Sequence, residues 1–428
     1  MFERIPRIKL IAAVAALALL FTVAGVASAS AATTLWVARS AQTVEKGRSC
    51  TEPSFNTVKQ AVAAAASGAK IEVCPGKYTE QLEITKSLTL NGAEGAGSTT
   101  IAIPAAPETS KTSCDEPGQT DEISICGPVT LTITNLGVEA IYPLETCAGI
   151  VNAVFVAGGG TLKATTDTID GASTNNNGYK GCQHGLALEV GTPEPREQVG
   201  HATLTHVTVT GYQKNGPTVA GKGSTLVISQ SSITGEGLSP YIAQNGIQVA
   251  YGGKATITST TVAGNECNLV PPCAAGTPEQ ASGVLFYQAA PGSTLTSSLV
   301  KENDVGVYYA SGSATEPTKP EVTLTKDVLT NDRYEGVELE EGKAALHFDT
   351  INGTGLVGIN LHQTASQLSK SESSATGTVI EGQSEAAIKV QSDKAAGDKA
   401  GKFTFASGTA SGNGSVLINE SSNFEVAF

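Results

Sequence analysis

The stretch IEVCPGKYTEQLEITKSLTLNG, residues 71 to 92, alternates apolar and polar positions in short bursts, each broken by a turn. Period-2 alternation over so few residues predicts short strands with one face buried. The same pattern returns down the chain. HGLALEV, NGPTVA, NGIQVA, SGVLFY, VGVYYA, EGVELE and VGINLH all read x-Gly-apolar-x-apolar, with glycines at 185, 216, 246, 283, 306, 336 and 358. Their separations are 31, 30, 37, 23, 30 and 22 residues. A second column precedes each turn rich in Gly and Asn, and its apolar members are Ile169, Val209, Ile233, Val262, Leu329 and Ile351.

Strands this short cannot bury a face alone, but stacked on copies of themselves they form a continuous core. An antiparallel sandwich needs a hairpin signal every few residues and would not hold one register over seven units. The pattern predicts an all-β chain wound as a right-handed parallel β-helix, a solenoid of about 22 residues per coil with longer loops inserted. Leu186 and Leu188, Ile247 and Val249, Val284 and Phe286, and Val337 and Leu339 are expected to point inward. Between them, Ala187, Thr218, Gln248, Leu285, Tyr308, Glu338 and Asn360 are expected to point outward. A solenoid must cap its ends. SFNTVKQAVAAAASGAK predicts a short N-terminal helix with Ser54 or Asn56 as N-cap and Gly68 as stop. Val58, Ala61, Val62 and Ala65 share its covering face, and residues 403–428 read as ragged final coils.

Residues 1–29 break the pattern. A positive start (Arg4, Arg7, Lys9), an apolar run and an Ala27-Ser28-Ala29 site predict a cleaved secretory signal peptide, followed by one domain over 30–428. No later segment is apolar for the roughly 18 residues a membrane helix needs. The chain holds 27 basic and 40 acidic residues; beyond residue 29 the balance is 24 against 39, a net charge of −15. That excess argues against nucleic acid and anionic membranes as partners. Secretion and an even count of eight cysteines predict disulfides. Pairing sequence neighbours gives Cys50 with Cys74, Cys114 with Cys126, Cys147 with Cys182, and Cys267 with Cys273. No C-x-x-C is present to suggest zinc.

The opening resembles that of pectin-lyase-like β-helix proteins. Their helix, I-x-V-x-P-G-x-Y, E-x-L-x-I and L-T-L-x-G are matched by Ile71, Val73, Pro75, Gly76 and Tyr78, by Glu80, Leu82 and Ile84, and by Leu88, Leu90 and Gly92. The resemblance implies a carbohydrate-related protein, but the class spans lyases, hydrolases, esterases, epimerases and adhesins, so fold alone does not choose. The hydrolase motifs are matched only in fragments, TDTIDG and CQHG, which leaves His184 as a weak catalytic candidate beside a structural role in a column with Asn215 and Asn245. A lyase would need an Arg or Lys base beside Ca²⁺. Of four arginines beyond residue 29, only Arg333 has acids nearby, in NDRYEGVELEE. Arg333 and Glu338 are therefore catalytic candidates, and Asp332 and Glu335, with Glu338, Glu340 and Glu341 beside them, are candidate Ca²⁺ ligands if the chain is a lyase; no other cofactor is suggested. No Q-D pair supports an esterase. Gln248, Tyr308, Glu338 and Asn360 form the outward column best suited to hydrogen-bond and stack on a sugar. The sequence thus favours a secreted surface protein that contacts extracellular polysaccharide, with no catalysis evident. A polysaccharide lyase or hydrolase, and a purely structural envelope or matrix component, are the alternatives.

Overall fold

A computed structural model describes residues 33–39, 42–142, 149–174, 181–268, 281–311, 321–353, 355–363, 371–392 and 401–428. The chain divides after residue 31, and the described residues all belong to the second unit. The expected signal peptide lies outside them. No described helix is long and apolar enough to cross a membrane.

The strands form three sheets of 14, 12 and 12 members, and the named strand pairs are all parallel between successive coils. Each coil visits the sheets in the same order, as Lys70–Val73, Gly76–Thr79 and Leu82–Ile84 do in the first. This is a right-handed parallel β-helix, as the repeat predicts. The apolar column is continuous: Ile169, Val209, Ile233, Val262, Val300, Leu329 and Ile351 pair in register, all fully buried. In the third sheet Ile247 and Val249 stack on Val284 and Phe286, and further along Val337 and Leu339 stack on Ile359 and Leu361.

One coil departs from the expected register. Gly185 pairs with Val151, while Leu186 pairs with Asn215 and Leu188 with Pro217. Ala187, not Gly185, occupies the glycine column, and the outward residue is Glu189. His184 therefore does not share a column with Asn215 and Asn245. The column asks for a small side chain, because a Cβ on Gly246 would meet Val262 Cγ1 at 2.4 Å. Alanine fills it in this coil.

The capping helix runs Val58–Ala64. Its N-cap is Thr57, whose hydroxyl accepts from Gln60 N, rather than Ser54 or Asn56. Val58, Ala61, Val62 and Ala65 are buried over the first coil, as their spacing predicts. At the other end the strands Gly401–Ala406, Thr409–Ser411, Leu417–Asn419 and Phe424–Ala427 are the expected ragged coils. Disulfides join Cys50 to Cys74 and Cys114 to Cys126. Each of the other two expected pairs has one member, Cys147 or Cys273, outside the described residues.

The corner between the first and second sheets is a two-residue turn. Its first residue is left-handed, as at Ser297, Lys326 and Phe348 (φ 52°, 59° and 61°). Its second is a buried residue, often Ser, Thr or Asp, whose side chain accepts the N–H of the same position one coil back. Ser298 Oγ takes Thr260 N at 3.2 Å, Asp327 Oδ1 takes Ser298 N at 2.8 Å and Asp349 Oδ1 takes Asp327 N at 2.8 Å. The turn leaves those N–H groups without a strand partner, and burial forbids leaving them unpaired.

Candidate functional site

Two outward columns run along the third sheet. One holds Glu189, Thr218, Gln248, Leu285, Tyr308, Glu338, Asn360 and Lys389 in successive coils. The other, two residues further along each strand, runs Ala220, Ala250, Tyr287, Ala310, Glu340, His362 and Gln391. Alternation points both to the same side, and successive coils lie about 4.8 Å apart. Chemistry concentrates where the two columns meet the strands Val305–Ala310, Glu335–Glu340 and Val357–Gln363.

There Tyr308 OH donates to Glu340 Oε1 at 2.7 Å. His362 Nδ1 lies 3.1 Å from Glu338 Oε1 and 3.7 Å from Glu340 Oε1. Glu338 and Glu340 each place an oxygen within 4.8 Å of the other and of the imidazole. Burial pushes Glu340 up to about 7; the Tyr308 bond opposes that rise and the Glu338 charge adds to it. Glu335, at the start of the same strand, is pushed up to about 9 by burial first and Glu338 second. Lys389 faces the group but is paired with Glu385 at 2.7 Å. Glu338 and Asn360 are 5% and 2% exposed, while Tyr308, Glu340 and His362 keep accessible edges. Asn360 donates to Gln391 Oε1 at 3.4 Å, and its buried Oδ1 has no partner.

The other sequence candidates sit elsewhere. Arg333 donates to Asp304 Oδ1 at 2.7 Å and to Cys267 O at 2.9 Å, and stacks 5.0 Å from the Tyr334 ring. It is held at the corner and has no contact with Glu338. Asp332 accepts from Asn303 N and Nδ2 at 3.1 and 2.9 Å, continuing a buried ladder from Asn265. That role is separate from Glu335, whose carboxyl is pushed up by burial and by the Glu338 charge. Gln248 accepts from Asn215 and Asn245 at 2.9 and 3.3 Å. His184 is exposed, and its carbonyl accepts Val151 N at 3.0 Å. The sequence points to Glu340 only as one of several acids able to hold a cation and does not point to His362, although each is the last letter of a repeat, EGVELE and VGINLH. One more step of the same alternation would have placed them.

The insertion at 104–119 lies over the N-terminal part of this face. Cys114 packs with buried Phe155 and Ala157, and Arg196 bonds the carbonyls of Cys114 and Asp115. Asp121 anchors it from below, accepting from Ser110 Oγ at 3.0 Å and from Gln119 Nε2. Asn152 Nδ2 links Asp121 to Glu189 at 2.9 Å on each side. Asp121 is thus fully occupied in holding the loop.

Among the described residues, Glu338, Glu340 and His362 are the one group of three able to converge on a metal ion. Two carboxylates and an imidazole suit a first-row divalent ion and fit Ca²⁺ poorly, since Ca²⁺ takes six to eight oxygens.

No curated protein matches the sequence. Among solved structures, the periplasmic alginate epimerase AlgG is 12% identical, with a TM-score of 0.53 over 84% of this chain and 76% of its own. The catalytic domain of a GH87 alpha-1,3-glucanase, a variant bound to nigerose, is 11% identical, with a TM-score of 0.52 over 87% of this chain and 66% of its own, just under two thirds. Identities this low show a shared fold. The family model described as right handed beta helix region matches residues 152–377, more than half of the 428. By that match, and by three parallel sheets wound in register, the chain belongs to the right-handed beta helix family.

Proposed function

We propose that this is a secreted carbohydrate-active protein that hydrolyses a neutral polysaccharide on the outward face of its third sheet. One observation carries the reading: two carboxylates on alternate positions of one strand share an imidazole, and one of them, Glu340, is raised to about 7. Two carboxyl groups in unlike environments are what glycoside hydrolysis requires, one protonated to assist the leaving oxygen and one available as a carboxylate. Glu340 donates its proton to the glycosidic oxygen. Glu338 attacks the anomeric carbon, and water deprotonated by Glu340 then releases the sugar. Oxygens within 4.8 Å of each other lie well inside the separation of about 6.5 to 9.5 Å that an inverting route needs, which favours a retaining one.

Charge narrows the substrate. The chain beyond residue 29 carries −15. A polyuronate would meet like charge, so a neutral glycan fits better. Secretion is supported by the signal-like start and by the two disulfides.

The test is release of reducing ends from a panel of neutral and uronate polysaccharides by the purified protein, with Glu340→Gln and Glu338→Gln alongside. Product from a neutral glycan, lost in both variants, supports the reading. Absorbance near 235 nm from a uronate would replace it with a lyase. Retention on a glycan without product favours the second reading, binding without turnover, which the near-complete burial of Glu338 supports.

A further inference from the structure

We infer that the corner carrying Tyr251 and Tyr287 is a binding site for neutral pyranose units, separate from the acid pair. The inference rests on the carbohydrate reading of this flank but not on catalysis there.

The turn leaving the third sheet repeats in register. Ala220 pairs with Ala250, and Ala250 with Tyr287. The next residues, Gly221, Tyr251 and Gln288, are therefore equivalent, and all three are left-handed, with φ of 84°, 50° and 54°. Glycine takes that conformation without strain, whereas a bulky side chain does not. The fold is thus served by glycine at this position and holds a strained tyrosine one coil later. Tyr251 is nonetheless 47% exposed. Its ring packs edge-on against Tyr287, 5.4 Å between centroids, and Tyr287 is itself 38% exposed. Two half-exposed tyrosines packed edge-on at one corner leave aromatic surface open to a ligand.

What it contacts follows from the surroundings. Tyr251 and Gln288 line a cleft of about 840 Å³ with Glu194, Glu197, Lys222 and Glu321. That volume is within the range of small-ligand sites. Aromatic faces beside amide, carboxylate and ammonium groups suit a ring with apolar faces and a hydroxyl rim. Three acids against one lysine disfavour a uronate. Glu321 is engaged by Tyr309 OH, which ties the cleft to the strand that also carries Tyr308. Tyr287 itself stands in the outward column of Glu340 and His362, two coils before Glu340, or about 9.6 Å along the axis. One polysaccharide chain lying along the helix axis reaches both places.

The experiment uses the full secreted protein carrying Glu340→Gln, so that turnover does not consume the probe. Cellohexaose, maltohexaose and laminarihexaose are titrated calorimetrically, with tetragalacturonate as the charged comparison. Tyr251→Asn and Tyr287→Ala are added singly, and each melting temperature is recorded. Asparagine accepts the left-handed conformation. Tyr251→Asn is therefore expected to melt at or above the parent temperature while binding at least one neutral hexaose tenfold or more weakly. Tetragalacturonate is expected not to bind. Binding to none of the three neutral hexaoses overturns the inference. Unchanged affinity in Tyr251→Asn also overturns it, and a lowered melting temperature with unchanged affinity would make the tyrosine a packing residue. Failure of the hydrolysis reading shows itself separately, as absence of product from the unaltered protein.

Discussion

Asp327 tests the account of how the coils are joined. Its two carboxylate oxygens accept Ser298 N at 2.8 Å and Thr325 N at 2.9 Å, and its own N–H donates to Asp349 Oδ1 at 2.8 Å. The residue is 1% exposed, so water cannot replace a lost partner. Asp327→Ala orphans two buried N–H groups at about 1 to 3 kcal/mol each, or about 2 to 6 kcal/mol together. Asp327→Ser should cost less, since Ser298 fills the same position one coil back and serves its neighbour with a single oxygen. Burial raises Asp327 to about 7 against the pull of its two N–H donors, so the comparison belongs at pH 8, where the carboxylate accepts both. Coils touch only their neighbours, which should confine the damage. Native-state hydrogen exchange is the assay. Ser298 and Thr325 amides should lose protection first, those of Leu131 and Ile133 should keep theirs, and urea unfolding should rank alanine below serine below the parent. An alanine variant within about 0.5 kcal/mol of the parent, or protection lost evenly along the chain, would refute the ladder as the device that pins each turn.

Further outcomes follow from the same geometry. If Glu340 is the acid, hydrolysis should fall as pH rises through about 7, because the proton it must give is lost there, and the limb should vanish with activity in Glu340→Gln. Glu335, raised to about 9, contributes stability that is complete below its unfolded value near 4 and is lost as pH rises through 9. The melting temperature should therefore drop between pH 7 and 10, and less steeply in Glu335→Gln. Replacing Cys114 and Cys126 by serine should free the 104–119 insertion from Phe155, at a cost of about 1 to 3 kcal/mol, read as faster proteolysis within that loop while the coils stay intact.

Much of this fold is legible because its core columns obey one rule each. Ile233, Val262, Val300 and Leu329 must fill the same space in successive coils, so an apolar residue at a fixed phase betrays them. The misplaced coil shows the limit of that rule. HGLALEV fits the motif, yet Gly185 opens the strand and Ala187 does the packing, since the constraint is on size and not on glycine. The turn ladder is illegible in the sequence for a different reason. Ser298, Asp327 and Asp349 look like solvent-facing turn residues until the coil behind them supplies a buried N–H. Glu338 and Tyr308 were visible by alternation, while Arg333 drew attention only by standing near acids in sequence. Its partner Asp304 lies a full coil earlier and could be identified only from the winding.

The outward columns are where this chain was free to differ from coil to coil, and that freedom locates its chemistry. Inward positions are held to Val, Ile, Leu and Phe by close packing, and the glycine column by contact with the second sheet. No such demand acts on the outward side, where solenoids build their binding surfaces. Along the second outward column the residues change from alanine at 220 and 250 to Tyr287, then to Glu340 and His362. Alanine there would serve the fold equally well and would spare it the burial of Glu340. A destabilised acid beside an imidazole, two coils from the half-exposed Tyr287, is a cost with no structural return, and such costs gather where a protein meets its ligand. The function of this chain is therefore to be sought between Tyr251 and His362.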